Sequence, residues 1–335
     1  MKNTKKLLVV LMSLILMFSF AGCGKKNTEA HKSNANQTQN DGTKTPEVSE
    51  EPEQTENVDT TEKVTSYPLE IKDSTGNTIT IDAEPQKIVS VAPNMTELLY
   101  ELGVGDKLVG RSDYCDYPAE VSEIPSVGEI QTPDIEAITA LEPDLVLVST
   151  HFAEEDVAKL NDLGIQVLSL YSENDIYGVY QMIETVATVC NCQPKGEEVI
   201  NKMKATFDDI SSKTSELEHP SVYYVVGYGE YGDYTATGDT FVHGLIELAG
   251  GNNIAKDATD WSFTLEKLLE ADPDIIIIGK DMAENFKATD NYKELTAVKE
   301  NKVYEMDTNL FDRQGYRNAE GVKELAKLLY PDVAL

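Results

Sequence analysis

Basic side chains are scarce in this sequence: 28 Lys and Arg stand against 59 Asp and Glu, a formal charge of −31 over 335 residues. A chain so acidic is a poor partner for a phosphate backbone, which excludes nucleic-acid binding as its main activity. Cysteine and histidine are equally thin, four of each. No two cysteines make the C-x-x-C spacing of a zinc knuckle or a thioredoxin-like centre, and scattered histidines disfavour a zinc or manganese carrier. After the first 22 residues no apolar run approaches the roughly 18 needed to cross a bilayer, which argues against an integral transporter. Missing too are the G-x-S-x-G elbow, the H-E-x-x-H helix and the phosphate-binding G-x-x-x-x-G-K loop, so an exported enzyme has no group marked out for catalysis.

What is present begins at the N-terminus. Lys2, Lys5 and Lys6 precede the apolar stretch Leu7 to Phe20 and the small pair Ala21-Gly22, the pattern of an export signal over residues 1–22. The order Phe20-Ala21-Gly22-Cys23 resembles a bacterial lipobox, with Phe20 where Leu is usual. The resemblance implies that Cys23 is lipidated and anchors an exported protein on the outer side of the cell membrane, in either envelope type; the plainer alternative is an ordinary cleaved signal. Residues 23–66 are Asn, Gln, Thr, Glu and Lys with almost no large apolar side chain, the composition of a disordered tether. Residues 67–335 hold 20 basic and 50 acidic side chains, so the acidity belongs to the folded part, where it favours solubility. Cys115, Cys190 and Cys192 remain. They read as separate buried thiols, with a disulfide from Cys115 to one of the others as the alternative.

Periodicity then divides the chain. Alternation in Leu69 to Ile71 and Ile79 to Ile81 around Ser74-Thr75-Gly76-Asn77 predicts a hairpin. Short apolar runs at Ile88 to Val91, Leu145 to Val148 and Val167 to Leu170 predict buried parallel strands, alternating with helices near Thr96, Asp134 and Glu154. A second set of strands begins at Val222, Ile275 and Val303, with helices near Phe241, Thr264 and Ala319. Between the sets, Val199, Ile200, Met203, Phe207 and Ile210 recur at helical spacing. The expected fold is therefore α/β: a first lobe over 67–194, one long interlobe helix over 195–218 and a second lobe over 219–335, each with a mostly parallel central sheet and a ligand cleft between them. A single helical connector is stiff, so large domain closure is not expected.

A gapless internal repeat supports the duplication. Residues 135–148 read IEAITALEPDLVLV and residues 265–278 read LEKLLEADPDIIII. A second echo pairs Leu98 to Gly103 with Leu245 to Gly250. The first repeat sets Glu136 and Glu266 at matching positions near helix starts, where a carboxylate is favoured by the macrodipole by about 0.3–1 kcal/mol. The alternative reading is that two related carboxylates on one face dock onto a symmetric partner, one per subunit, through arginines.

In this order, Ile88-Val89-Ser90-Val91-Ala92-Pro93-Asn94-Met95-Thr96-Glu97, the Asp116-Tyr117-Pro118 turn, the two Glu-bearing repeats and Asp307 to Arg317 resemble the substrate-binding lipoproteins of type II ABC importers for vitamin B12, ferric siderophores or haem, over roughly residues 67–332. The resemblance implies no enzyme activity, no metal or cofactor of its own, a monomer, and a permease dimer with its ATPases as partner. It matches Glu136 and Glu266 to the two glutamates that meet arginine pockets on the permease. Within the family the chain looks most like the vitamin B12 binders. Tyr114 occupies their cleft tyrosine position, Tyr234 and Trp261 fall within about one residue of two further aromatic contacts, and Asn309 and Arg313 match a polar pair, although the family has an acid at Asn309. Two tryptophans of that pattern are replaced by Ile130 and Ser149. Flat aromatic walls and a few hydrogen-bonding groups suit a broad, amide-fringed corrin. The plain readings stay open: aromatics packed for structure, Arg313 and Arg317 in solvated ion pairs beside Asp312, His243 as a partly packed helix residue, and His151 as a solvated loop residue rather than a metal ligand. A ferric siderophore is the second ligand reading, and haem follows it.

Overall fold

The computed structural model describes residues 64–335 apart from 151, 173 and 231. The expected signal segment, Cys23, the tether up to residue 63 and His151 lie outside the described residues. Thr65, two residues ahead of the expected first lobe, is already tied to it: its N–H donates to Asn191 Oδ1 at 2.8 Å and its hydroxyl to the Thr188 carbonyl at 2.7 Å.

The first lobe opens with an antiparallel hairpin, β1 (Leu69–Lys72) and β2 (Thr78–Ile81), as the alternation predicts. Asp73 shapes its turn by accepting from the N–H groups of Thr75 and Asn77. Next come β3 (Ile88–Ser90), α1 (Pro93–Glu101), β4 (Leu108–Arg111), α2 (Ile135–Ala140), β5 (Leu145–Val148), α3 (Glu154–Asp162), β6 (Gln166–Ser169) and α4 (Ile176–Val189). The four strands β3 to β6 form a fully parallel sheet in the order β4-β3-β5-β6. β3 and β5 are buried along their whole length, which is why they read as unbroken apolar runs.

After α5 (Gln193–Thr214) the second lobe runs β7 (Ser221–Gly227), β8 (Tyr234–Thr235), α6 (Phe241–Leu248), β9 (Asn252–Asn253), α7 (Leu265–Ala271), β10 (Ile275–Gly279), α8 (Ala283–Ala288), α9 (Thr296–Lys299), β11 (Val303–Met306), α10 (Asn309–Asp312) and α11 (Asn318–Leu329). Its sheet has the order β11-β10-β7-β8, with β9 also on β7; β8 alone runs antiparallel.

The predicted interlobe helix is observed as Gln193–Thr214, beginning two residues early, with Pro194 in its first turn where the missing N–H costs nothing, and ending four residues short of the expected 218. Its buried side chains include Val199, Ile200, Met203, Phe207 and Ile210, the stripe seen in the sequence. That stripe belongs to one continuous apolar core holding Leu99 and Leu147 of the first lobe together with Leu245 and Leu325 of the second. Two smaller clusters fill the other faces of the sheets. Bending the lobes apart would therefore open packed core, not merely flex a linker.

The repeat has a structural cause. In each lobe its helix leads through Pro-Asp into a central strand, and the Asp secures the start of the neighbouring parallel strand. Asp144 Oδ2 accepts from the N–H groups of Gln86 and Lys87 at 2.7 and 2.9 Å, just ahead of β3. Asp274 Oδ2 accepts from the Ser221 N–H and hydroxyl at 2.8 and 2.6 Å, at the start of β7. The second echo is also observed: α1 and α6 each end before a glycine in the left-handed region, Gly103 at φ 78° and Gly250 at φ 84°. At Gly250 a side chain is doubly excluded, since a Cβ would stand 2.8 Å from the Tyr330 ring.

Candidate functional site

Strand ends of both lobes converge on a cleft of ≈ 360 Å³. The first lobe contributes the start of α1 (Ala92 to Asn94), Tyr114 beyond β4, Ile130, and Ser149 beyond β5; the second contributes Asn309 and Asp312 to Gln314, at and after α10. A smaller cavity of ≈ 230 Å³ adjoins at Tyr114 and Ile130 and takes in Glu129 and Gln131.

Tyr114 is aimed by its neighbours. In Ser112-Asp113-Tyr114-Cys115-Asp116 the thiol of Cys115 turns inward, 3% exposed, and accepts from the Thr96 hydroxyl at 3.1 Å. Asp113 ties the loop down, its N–H donating to the Gly128 carbonyl and its carboxylate accepting from Ser126. With its neighbour buried, Tyr114 stands outward, 52% exposed, on the cleft wall. Cys115, Cys190 and Cys192 are all free thiols, as the main sequence reading has it, and burial pushes the Cys190 thiol up to about 12.

Arg313 is placed differently from a side chain waiting for a ligand. Its Nη1 donates to Glu97 Oε1 and to Asp116 Oδ1, both at 2.7 Å, and its Nη2 to the Tyr114 carbonyl at 3.3 Å. The side chains of Arg313 and Glu97 are 14% and 3% exposed. Arg317 stands 3.5 Å from the same Glu97 oxygen and stacks on the Tyr117 ring at 3.9 Å. The pairs on Glu97 are buried and cross the seam between lobes, unlike the solvated pairs of the plain sequence reading, whereas Asp116, 61% exposed, holds Arg313 from the solvent side. Burial raises the Glu97 carboxyl above its ordinary range, and the two arginines pull it back toward the ionised form. The Arg313 loop is held from below by Asn318, fully buried, whose amide donates to the carbonyls of Leu310 and Arg313 at 2.9 Å and accepts from the Gly315 N–H. Gln314 completes the seam: its carbonyl accepts from Asn94 and its Oε1 from the Ser172 N–H.

At the cleft floor the buried Tyr224 hydroxyl donates to Asp312 at 3.3 Å. Asp312 is open to the cleft, yet the walls strip enough water from its carboxyl to raise its pKa, against the pull of Thr308 and Tyr224.

The structure thus brings Tyr114, Asn309 and Arg313 into one cleft, together with Ile130 and Ser149. Tyr234 and Trp261 lie elsewhere, on an edge of the second sheet: Tyr234 bridges Ser262, the Thr235 N–H donates to the Trp261 carbonyl at 2.9 Å, and the rings are 44% and 40% exposed. They are not among the residues lining this cavity. Trp261 takes φ 59°, held by its N–H donating to the Thr237 hydroxyl.

Glu136 and Glu266 each occupy the second position of their helix and are exposed. The helix caps are supplied by other residues: Asp134 accepts from the Ala137 N–H at 2.9 Å and Thr264 from the Lys267 N–H at 3.4 Å. His243 is packed, its ring nitrogen 3.2 Å from the Asn253 amide. Glu97, Asn94, Gln314 and Asn318 were not assigned from sequence. Asn94 and Glu97 lie inside the stretch that carries the family resemblance, but nothing in a linear pattern shows a partner 216 positions away.

Two α/β lobes, a shared core and a polar, aromatic-edged cleft between strand ends define a bilobal small-molecule binding protein. The chain belongs to the periplasmic binding protein family, whose sequence pattern matches residues 88–310. YvrC, an uncharacterized ABC transporter substrate-binding lipoprotein of Bacillus subtilis, is 35% identical over 279 residues, covering 81% of this chain and 88% of its own. A cobalamin-binding protein of Halobacterium salinarum is 28% identical over 287 residues, covering 80% and 76%. Among solved structures, a possible iron-binding (periplasmic solute-binding) protein of Staphylococcus epidermidis gives a TM-score of 0.66 at 26% identity, covering 74% of this chain and 100% of its own. The vitamin B12-binding protein of Vibrio cholerae shares the fold, with a TM-score of 0.64 at 24% identity over 74% and 98%.

Proposed function

We propose that this protein captures a corrinoid outside the cytoplasm and hands it to an ABC permease dimer whose ATPases supply the energy. The observation that carries this reading is the interlobe cleft: Tyr114 offers a ring face from one lobe, while Asn309 offers amide chemistry from the other, which suits a flat ring fringed with amides. Cobalamin and vitamin B12 binders among the relatives support it. Tyr234 and Trp261 are assigned to the rim, where a ligand broader than the cavity would reach. Arg313 shapes the cleft through its ion pairs and contacts the ligand from there. The lipoprotein relative supports the anchor at Cys23, and with it an exported protein held on the membrane by lipid alone; the protein acts as a monomer. A ferric chelate is the second reading, for which the fold shared with the possible iron-binding protein of S. epidermidis speaks.

Glu136 and Glu266 are assigned to docking, one on each permease subunit. Exposed carboxylates that leave the capping to Asp134 and Thr264 are free to meet arginines. In a strain dependent on this protein for corrinoid, Glu136→Ala with Glu266→Ala is expected to abolish uptake while ligand affinity stays within about twofold. Normal uptake by that variant would overturn the docking assignment.

A further inference from the structure

Among the described residues lining the cleft and its adjoining cavity, one is basic, Arg313. Its Nη1 is committed to two carboxylates, Glu97 and Asp116, at 2.7 Å each. Turning it toward an anionic ligand would leave Glu97, 3% exposed, with only Arg317 at 3.5 Å as counter-ion. The acids are not matched in this way. Asp312 lines the cleft floor with the hydroxyls of Tyr224 and Thr308 as partners and no ion pair among the described residues, and Glu129 lines the adjoining cavity beside Tyr114. A concave site with walls of low polarisability and surplus carboxylates repels negative charge more strongly than an open surface does.

We infer that the cleft selects ligands of zero or positive net charge and rejects anionic ones, with Asp312 as the residue that sets the preference. The choice of corrinoid probes rests on the proposed function; the charge selection itself does not. It separates the candidate ligand classes, since haem carries two propionates and ferric catecholates carry several negative charges, whereas a cobalt(III) corrin with an amide fringe accumulates none on the ring.

The test uses purified full-length protein and corrinoids matched in shape. Cyanocobalamin is neutral overall, its e-monocarboxylic acid replaces one amide by a carboxylate, and aquacyanocobinamide carries one positive charge. At low ionic strength the monocarboxylate is expected to bind about tenfold more weakly than cyanocobalamin, and aquacyanocobinamide at least as tightly, with the gap narrowing as salt is added. Asp312→Asn is expected to shrink the tenfold gap to about threefold. Equal or tighter binding of the monocarboxylate overturns the inference, and an unchanged gap in Asp312→Asn overturns the role of that residue. If no corrinoid binds, a cationic ferric trihydroxamate and an anionic ferric tris-catecholate decide. Binding of the cationic chelate alone keeps the charge selection while the corrinoid reading fails; binding of the anionic one, or of no probe at all, overturns the inference.

Discussion

The two helix-Pro-Asp-strand units show where the lobes are copies and where they are not. Each has a capped helix with an exposed Glu in its second position, and each has an Asp that secures the start of the neighbouring parallel strand. The inward surfaces, by contrast, have nothing in common: Tyr114, Ile130 and Ser149 on one side face Asn309, Asp312 and Arg313 on the other. Duplication kept on the outer helices and lost in the cleft is what a symmetric partner and an asymmetric ligand would demand of one molecule. The seam obeys the second rule, since Glu97 of the first lobe meets Arg313 and Arg317 of the second without a mirrored pair among the described residues.

The comparison can be broken at several points. The largest effect is expected at the duplicated glutamates: Glu136→Ala and Glu266→Ala singly should each impair uptake by a similar factor and together abolish it. A strongly one-sided result would show that the outer face is not used symmetrically. Next comes the seam. Arg313→Ala leaves Glu97 buried beside a single, more distant arginine and is expected to cost about 3 kcal/mol in denaturant unfolding. Glu97→Gln leaves Arg313 its bond to Asp116 and should cost less; equal costs would place the seam's strength elsewhere. Within the cleft, Tyr114→Ala should weaken corrinoid binding by about 1–1.5 kcal/mol, roughly tenfold, without loss of stability, as the ring is half exposed.

A last effect, similar in size to that at Tyr114, concerns the repeated aspartates. Asp144→Ala and Asp274→Ala should each destabilise by about 1–2 kcal/mol, because each removes two hydrogen bonds to a strand start. Bonds from the Ser221 hydroxyl and N–H hold the Asp274 carboxyl below its ordinary range. A depressed folded pKa means that this contribution is fully present above the unfolded value, near 3.9, and is lost as pH falls through the folded value. Comparing Asp274→Asn with wild type by unfolding at pH 7 and at progressively lower pH should show the difference closing only in that acid window.

Much of the scaffold was legible because it rests on periodic burial. β3, β5 and β10 are buried on both faces and read as unbroken apolar runs, and α5 shows its buried stripe openly. The strand β4 was missed because Leu108 to Arg111 alternates over only four residues and contains a glycine and an arginine. Helix α4 was missed as well: Gly178 and a run of β-branched residues speak against a helix, while packing against α5 overrides them. In the cleft, the sequence pattern located Tyr114, Asn309 and Arg313 but could not tell that Arg313 is shared between two carboxylates of the opposite lobe. That knowledge requires the chain to be folded, because the partners lie 216 and 197 positions apart.

The measurement that bears most directly on a capture function is an equilibrium titration of the protein with cyanocobalamin, ferric chelates and haem, read by calorimetry and by fluorescence of Trp261, the single tryptophan. Saturable one-to-one binding of cyanocobalamin, weakened about tenfold in Tyr114→Ala, is the predicted result. Saturation by haem or a ferric chelate with no heat from cyanocobalamin, or cyanocobalamin binding unaffected by Tyr114→Ala, would contradict it.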